Sequence, residues 1–449
     1  MKRILITAIA LFLLISSLNA QNTTKLWTLE ECILYAIDNN IGLKQRENDE
    51  ALRKIELNAS QISWLPTLSG YTNQNFGFGR SQSREGIWED RNSANTSFGA
   101  TTGMPIFNGF KVLNTIAARK LNLMAATESL NRAKEDLAIG VATYYLQALY
   151  SKELLNIAEL QLELTLQKVK VTETLVEAGR VPMSQLYDIM AQLANDEVRL
   201  SVSKNDAGLA LLDLAQALEL ERFGTDFDIV QPETNDAIAK YMGSILPPEN
   251  IFYNAITFKP QIKEQEYLLQ GQKKMLNIAR ADYFPSIRFS AGYSNGYYST
   301  LVDANSQTLA FNNQIKMNAQ KSLGFSLNIP VFSRFDVRNN VRQNHIRIAN
   351  QELTIENSKK ALYKEIQVAY FNATAAQEKL LASEKAVAAS KEALFYAEEA
   401  YAAGRRTVFE YNESKTKYAQ SLSEQAQAKY NFIFRVKILD FYNGIEIRL

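Results

Sequence analysis

Between Asp336 and Ala403 the chain runs without a glycine or a proline. At 1.5 Å per residue such a helix extends roughly 100 Å, where helices of globular proteins average only about 11 to 12 residues. A second run, residues 111 to 178, carries one glycine, Gly140, and no proline. The first run stops at Ala403, Gly404 and Arg405, and the second at Ala178, Gly179 and Arg180. The two glycines lie 404 − 179 = 225 residues apart, about half the chain. A repeat of that size decides the fold. Glycine can take the left-handed conformation that ends a helix, and Pro182 and Thr407 suit the start of the next, so each tripeptide is the expected tip of a long helical hairpin.

The rest of the chain repeats in the same order. With Pro66 set on Pro285, Ala36 and Ile37 fall on Ala255 and Ile256, and SGYTN at 69 to 73 falls on AGYSN at 291 to 295. Further on, MPIFNGF at 104 to 110 meets IPVFSRF at 329 to 335, and Tyr145 meets Tyr370. The expected organisation is a leader at 1–20, a first repeat at 21–221, a linker at 222–250 holding Pro232, Pro247 and Pro248, and a second repeat at 251–449. The leader reading rests on Lys2 and Arg3, the apolar run from Ile4 to Ile15, and Ala20 at a plausible cleavage point.

Each repeat opens with a helical run, about 29 to 62 and 249 to 281, that ends at an aromatic-proline junction, SWLP or DYFP. Two alternating segments follow. In the last of them Leu323, Phe325, Leu327, Ile329 and Val331 share one face, while Ser322, Gly324, Ser326 and Asn328 share the other. Ile287, Phe289, Ala291 and Tyr293 alternate in the same way, as do Phe98, Ala100, Thr102, Met104 and Ile106; the segment at 67 to 78 alternates less well. A strand with one greasy face and one small, polar face lies between two different media. The segments are about as long as a tilted barrel strand must be to cross a bilayer. Trp64, Phe107, Phe110, Phe284, Phe332 and Phe335 cluster at the helix-side ends, as an interfacial girdle does. The stretches 80 to 95 and about 300 to 320 are expected as loops at the far ends. Along the first long helix Val141, Ala148, Leu155, Leu162, Val169 and Val176 form a heptad line, a coiled-coil seam. Three residues after each of the first five stand Tyr144, Ser151, Ala158, Thr165 and Thr172, with Leu175 out of step at the end, so the line is mostly small.

Composition removes several classes of function. Lys and Arg number 49 against 48 Asp and Glu, and without the leader the formal charge passes from +1 to −1, which gives no sign of a nucleic-acid partner. The single histidine, His345, and single cysteine, Cys32, leave little material for a His-based metal site or a Ser-His-Asp relay. Cys32 sits in the helical pattern TLEECILYAI and reads as a small buried apolar residue. GYSNG at 292 to 296 fits a nucleophile elbow on paper, but it lies inside an alternating strand and its repeat counterpart lacks it. No catalytic residue, metal or cofactor is expected. After the leader no apolar run approaches the roughly 18 residues of a transmembrane helix.

Two repeats ordered helix, strand, strand, long helix, tip, long helix, with P-[IV]-F after the second strand and A-G-R at the tip, resemble the TolC-like outer membrane efflux proteins from about residue 27 to 447. The resemblance implies an α+β membrane protein: a homotrimer whose chains each give four strands to one twelve-stranded transmembrane β-barrel, continued by a long periplasmic α-helical coiled-coil barrel. It implies a place in the cell outer membrane and a passive exit duct for an efflux or type I secretion system. The partners would be a periplasmic adaptor (membrane fusion) protein and an inner-membrane pump, either proton-driven (RND type) or ABC. Strand physics reaches part of this alone, because four strands would leave two raw edges in lipid.

On the family's pattern Tyr401 and Arg406 would hold the periplasmic gate against Ser184 and Gln185, where Gln185 replaces an aspartate. Glu410 and Glu413 would line the aperture, three copies of each crowding like charges and raising their pKa values. Ala178, Gly179, Arg180, Ala403, Gly404 and Arg405 would form the adaptor-docking tips. Two plainer alternatives stay open: Arg180, Arg405 and Arg406 as solvated cations at helix ends, and the two glutamates as a wet helix face. A periplasmic coiled-coil adaptor or spacer without a channel is the competing function, although an adaptor normally carries one hairpin.

Overall fold

The structure is a computed structural model that describes residues 25–82, 86–90, 92–220, 227–232, 238–239, 241–242, 245–303 and 307–447. The expected leader lies outside these residues, and the segment 222–250 is described only in part. Among the described residues the helices are α1 (Leu29–Asn39), α2 (Ile41–Ile62), α3 (Lys111–Glu177), α4 (Met183–Ala217), α5 (Pro248–Phe258), α6 (Pro260–Ala281), α7 (Phe311–Met317), α8 (Asp336–Ala402) and α9 (Val408–Tyr442). The strands are β1 (Lys25–Trp27), β2 (Thr67–Gly77), β3 (Arg80–Gln82), β4 (Trp88–Asp90), β5 (Ser93–Asn108), β6 (Phe227–Ile229), β7 (Ser286–Tyr298) and β8 (Gln320–Asn328). The helices repeat to the residue: 11 and 11 for α1 and α5, 22 and 22 for α2 and α6, 67 and 67 for α3 and α8, 35 and 35 for α4 and α9.

The chain forms two compact units. One holds residues 49–128 and 263–356 and contains a four-stranded antiparallel sheet in the order β2-β5-β7-β8. Its register sets Ala100 opposite Tyr293, Met104 opposite Phe289, and Phe289 opposite Phe325, so the apolar positions of neighbouring strands share one face. That face has no protein cover on β8, where Leu323 is 80%, Phe325 75% and Leu327 60% exposed. The opposite face carries Ser97, Gly99, Ser290, Ser294, Ser322 and Ser326, and β2 and β8 are both open edges.

At the helix-side ends two aromatic pairs repeat the same edge-to-face geometry. Phe107 and Phe110 are 5.4 Å apart at 87°, and their counterparts in the second repeat, Phe332 and Phe335, are 5.6 Å apart at 86°. Both junctions also place two successive residues in the left-handed region: Gly109 and Phe110 at φ 62° and 64°, Arg334 and Phe335 at 49° and 62°. Glycine is required at 109, where a Cβ would come within 2.6 Å of the Ala281 carbonyl oxygen.

Three expectations need correction. β8 ends at Asn328, so Ile329 and Val331 lie beyond the strand: Pro330 has no N–H to give a ladder, and the residue before it is restricted as well. The stretch 80 to 95 is not all loop, since β3 and β4 pair there and β5 begins at Ser93. The stretch 300 to 320 holds α7, which is strapped to the end of β7 by side-chain amides. Gln314, fully buried, accepts from Tyr298 N and donates to Tyr298 O, while Asn318 donates to Gly296 O, so two amides take the ladder positions that β8 leaves empty.

The other unit holds residues 25–48, 129–262 and 357–447 of the described chain. It has two repeat-related cores. In one, Cys32 and Ala36 of α1 pack with Val141, Tyr145, Ala148 and Leu214; in the other, Ile251 and Ala255 of α5 pack with Leu362, Ile366, Ala373 and Leu439. Cys32 is fully buried, as its helical setting predicts. β1 and β6 pair in parallel beside the first core, and the Tyr145 hydroxyl lies 2.8 Å from Val230 O and 3.1 Å from Trp27 O. The heptad of α3 is shifted from its expected centre. Val141, Ala148, Ser151, Thr165 and Thr172 are buried, whereas Leu155, Leu162, Val169 and Val176 are only half-buried and Tyr144 is exposed. The small residues are therefore the inner line of the seam within the chain. No helix of the described residues is long and apolar enough to cross a membrane.

Candidate functional site

The hairpin tips close by the same device. Gly179 and Gly404 take φ 67° and 71°. Arg180 N donates to Leu175 O at 2.9 Å and Gly179 N to Val176 O at 2.9 Å; in the second tip Arg405 N donates to Ala400 O at 2.8 Å and Gly404 N to Tyr401 O at 2.9 Å. These paired bonds satisfy the last carbonyls of α3 and α8 and turn the chain within a few residues. Ala178, Arg180, Ala403, Arg405 and Arg406 are all exposed around the turns.

The helices that return from the tips start differently. Pro182 precedes α4 in an extended conformation and offers no side-chain cap. Thr407 caps α9 with a full capping box: Glu410 N donates to the Thr407 hydroxyl at 3.3 Å, and Thr407 N donates back to the Glu410 carboxylate at 2.8 Å. The T-V-F-E spacing carries that signal in the sequence. The box, first through the Thr407 backbone N–H and then its hydroxyl, holds the Glu410 carboxyl below its ordinary value, with Arg406 adding to the effect. The raised value expected from crowding is thus opposed by the chain's own cap. Glu413, one turn on, is exposed and pairs with Lys417 at 2.7 Å.

Tyr401 is tied to the first hairpin, but not at the residues expected. Its ring stacks on Tyr411 with 5.5 Å between centroids, and Lys168 Nζ of α3 sits 5.1 Å from the Tyr401 ring and 4.9 Å from the Tyr411 ring. Lys168 also reaches Glu398 at 3.5 Å, and Thr172 supplies a side-chain hydrogen bond to Tyr401. Burial pushes the Tyr411 hydroxyl up to about 12. Among the described residues no hydrogen bond or ion pair within the chain joins Tyr401 or Arg406 to Ser184 or Gln185; Gln185 N bonds Pro182 O in the first turn of α4. Ser294 of GYSNG lies inside β7, opposite Gly99 and Gln320, and not at a strand-to-helix turn. No group of three or more His, Cys, Asp or Glu among the described residues is placed to hold a metal.

A sheet with two open edges and an apolar face left bare along β8, joined twice to helical hairpins of 67 and 35 residues, defines the fold of an outer-membrane channel subunit. The chain belongs to the outer membrane efflux protein family, whose pattern matches residues 35–219 and 252–439. Both repeats are therefore matched. Over 259 residues it is 27% identical to the pyoverdine export outer membrane protein OpmQ of Pseudomonas aeruginosa, a match that covers 54% of this chain and 48% of that protein. The chain thus spans about half the length of the curated relative it matches. Among solved structures it superposes on CusC with a TM-score of 0.77 at 17% identity, covering 93% of this chain and 92% of that one. The outer membrane channel CmeC of Campylobacter jejuni gives 0.73 at 16% identity, covering 93% and 86%.

Proposed function

We propose that this chain is one third of a homotrimeric exit duct in the outer membrane, with a large periplasmic part, passively conducting substrates delivered by an inner-membrane pump of the RND or ABC type through a periplasmic adaptor. The observation that carries this is the four-stranded sheet, whose apolar face is bare along β8 and whose edge strands β2 and β8 each have one free edge within the chain. Lipid on that face and neighbouring subunits at the edges satisfy both needs, and three copies give twelve strands. Each repeat supplies two strands and one hairpin, which supports the division into 21–221 and 251–449 about a linker at 222–250.

In this reading the tips meet the adaptor through Ala178, Gly179, Arg180, Ala403, Gly404 and Arg405. Tyr401, Arg406, Ser184 and Gln185 act at the gate, with Arg406 reaching Ser184 and Gln185 across subunits. Glu410 and Glu413 line the aperture. The duct needs no catalytic group or cofactor, so Ser294→Ala is expected to leave export intact. Native mass spectrometry of detergent-extracted protein tests the assembly, with a trimer expected. A stable monomer, or recovery only from the soluble periplasm, refutes the duct and favours a spacer.

A further inference from the structure

Toward the tip end of the hairpins lies a buried ion pair. Lys415 of α9 and Asp196 of α4 are 5% and 3% exposed, with Lys415 Nζ 3.1 Å from Asp196 Oδ2. Lys415 also donates to Gln161 O at 3.2 Å and to the Thr165 hydroxyl, both on α3. The second carboxylate oxygen of Asp196 accepts from Gln192 at 2.8 Å. One cation from the second hairpin is thus held by both arms of the first. Burial draws the Lys415 ammonium down from its ordinary value, and Asp196 opposes that shift.

The repeat shows what is unusual here. The Thr165 hydroxyl bonds Asp196 Oδ2 at 2.5 Å across the first hairpin; in the aligned halves Thr165 falls on Ser390 and Asp196 on Ser421, and Ser390 and Ser421 bond to each other at 2.6 Å across the second. Both hairpins therefore pin their two arms together at the same level. Only the first uses an acid. Lys415 itself corresponds to Met190, so the equivalent buried link from the first hairpin into the second is absent at this level, and the cation that does cross that way, Lys168 to Glu398 at 3.5 Å, pairs with an exposed carboxylate nearer the tip. A buried ion pair stabilises little more than well-packed apolar residues, and its best-attested use is to fix one register among several. Two neutral pins would hold each hairpin together without fixing either against the other.

We propose that Lys415 and Asp196 form a latch that sets the position of the second hairpin against the first, and through it the resting separation of the two tips in each chain. The pair is buried and fully partnered only in one mutual arrangement, so sliding or splaying α9 away from α3 and α4 leaves two bare charges. Lys415 lies about two helical turns above Thr407, roughly 12 Å of helix, close enough to govern the tips. The consequence for gating rests on the duct reading; the latch itself does not.

The test exchanges each hairpin's residue for its counterpart in the other: Asp196→Ser with Lys415→Met, which removes both charges together and keeps a hydroxyl pin to Thr165. Spin labels at cysteines replacing Ala178 and Ala403 report the distance between tips, with labelled chains diluted among unlabelled ones; Cys32 is fully buried and takes no label. The double variant is expected to fold and to show a tip distance longer or more broadly spread by about one helical turn, ~5 Å. Lys415→Met alone should lower the yield of folded protein, because it leaves Asp196 buried without its cation, and the second change should restore it. An unaltered distance distribution in the folded double variant overturns the latch. Single-channel conductance, measured in parallel, should rise with the tip distance. A shifted distance in a protein that never conducts argues against the duct and leaves the latch standing.

Discussion

Tyr145→Phe is the perturbation that most directly tests how the first core is fastened. The ring is 1% exposed, and its hydroxyl, within reach of Trp27 O of β1 and Val230 O just after β6, sits where the two short strands meet α3. Phenylalanine keeps the ring contacts and removes one donor, so the loss is that of an acceptor left buried without a partner. Such losses cost about 1 to 3 kcal/mol. Burial raises the Tyr145 pKa far from neutrality, so the hydroxyl stays a donor throughout the working range and the effect should not depend on pH. Local opening of β1 and β6 should become more frequent by roughly 5-fold to 150-fold, since about 1.4 kcal/mol is a factor of ten. Hydrogen exchange read by mass spectrometry on peptides covering 25–30 and 227–232 measures that ratio, with α9 peptides as the internal control. Unchanged protection in β1 and β6 refutes the fastening role. A uniform loss across the whole chain would mean that the ring had repacked.

Gly404→Val should leave the sheet folded while export falls to that of a deletion strain; because nothing lies within 4 Å of the Cβ position, a failure there is one of backbone conformation at φ 71°. Full export at normal protein level would sink the docking role. Gly99→Val should prevent sheet assembly, since even a Cβ would lie 2.3 Å from Tyr293 O; loss of the heat-modifiable band on gels is the readout. Glu219 holds φ 57° at the position where the second repeat has Gly444, so Glu219→Gly should raise the stability of the hairpin end by about 1 kcal/mol in urea titrations. If Glu410 and Glu413 line the aperture, divalent cations should block from the periplasmic side, and the change of both to Gln should abolish the block. Because the cap holds Glu410 below its usual pKa, it stays charged, and the cap stays made, until the pH falls through that depressed value; Thr407→Ala should shift the midpoint of the block to higher pH.

Much of the fold is legible in the sequence because its signals are local and doubled. The glycine-poor runs, the A-G-R tips and the proline junctions each occur twice, and the strands β5, β7 and β8 alternate cleanly between a greasy and a small face. What is not legible depends on contacts between distant residues. The heptad of Val and Leu in α3 is real, but which side of it turns inward depends on α4 and α9, and Thr165 and Thr172 win that place. α7 escapes notice because F-N-N-Q-I-K-M is short and polar, and its stability comes from Gln314 and Asn318 standing in for a strand. Lys415 and Asp196 lie in opposite halves of the chain and look like surface charges. Their mismatch with Met190 and Ser421 in the aligned repeats was the available signal. At the tip, T-V-F-E announces the capping box, whereas the partners of Tyr401, Lys168 and Thr172 on α3, are set by how two hairpins cross.

The equal helix lengths work as a gauge. The offset between the repeats holds one value from α1 through the start of β7 and another from α3 onward, so every residue gained or lost between the halves falls among the strands and the loops that join them. One residue added to α3 alone would turn all that follows by about 100° and advance it by about 1.5 Å, throwing its seam out of phase with α4 and its tip out of level with that of α8. Growth in small steps is therefore open to the outer loops and closed to the hairpins. A longer or shorter hairpin is reached only by changing all four arms together, in whole heptads, and a designer who wished to refit this protein to a wider or narrower periplasm would have to cut in units of seven.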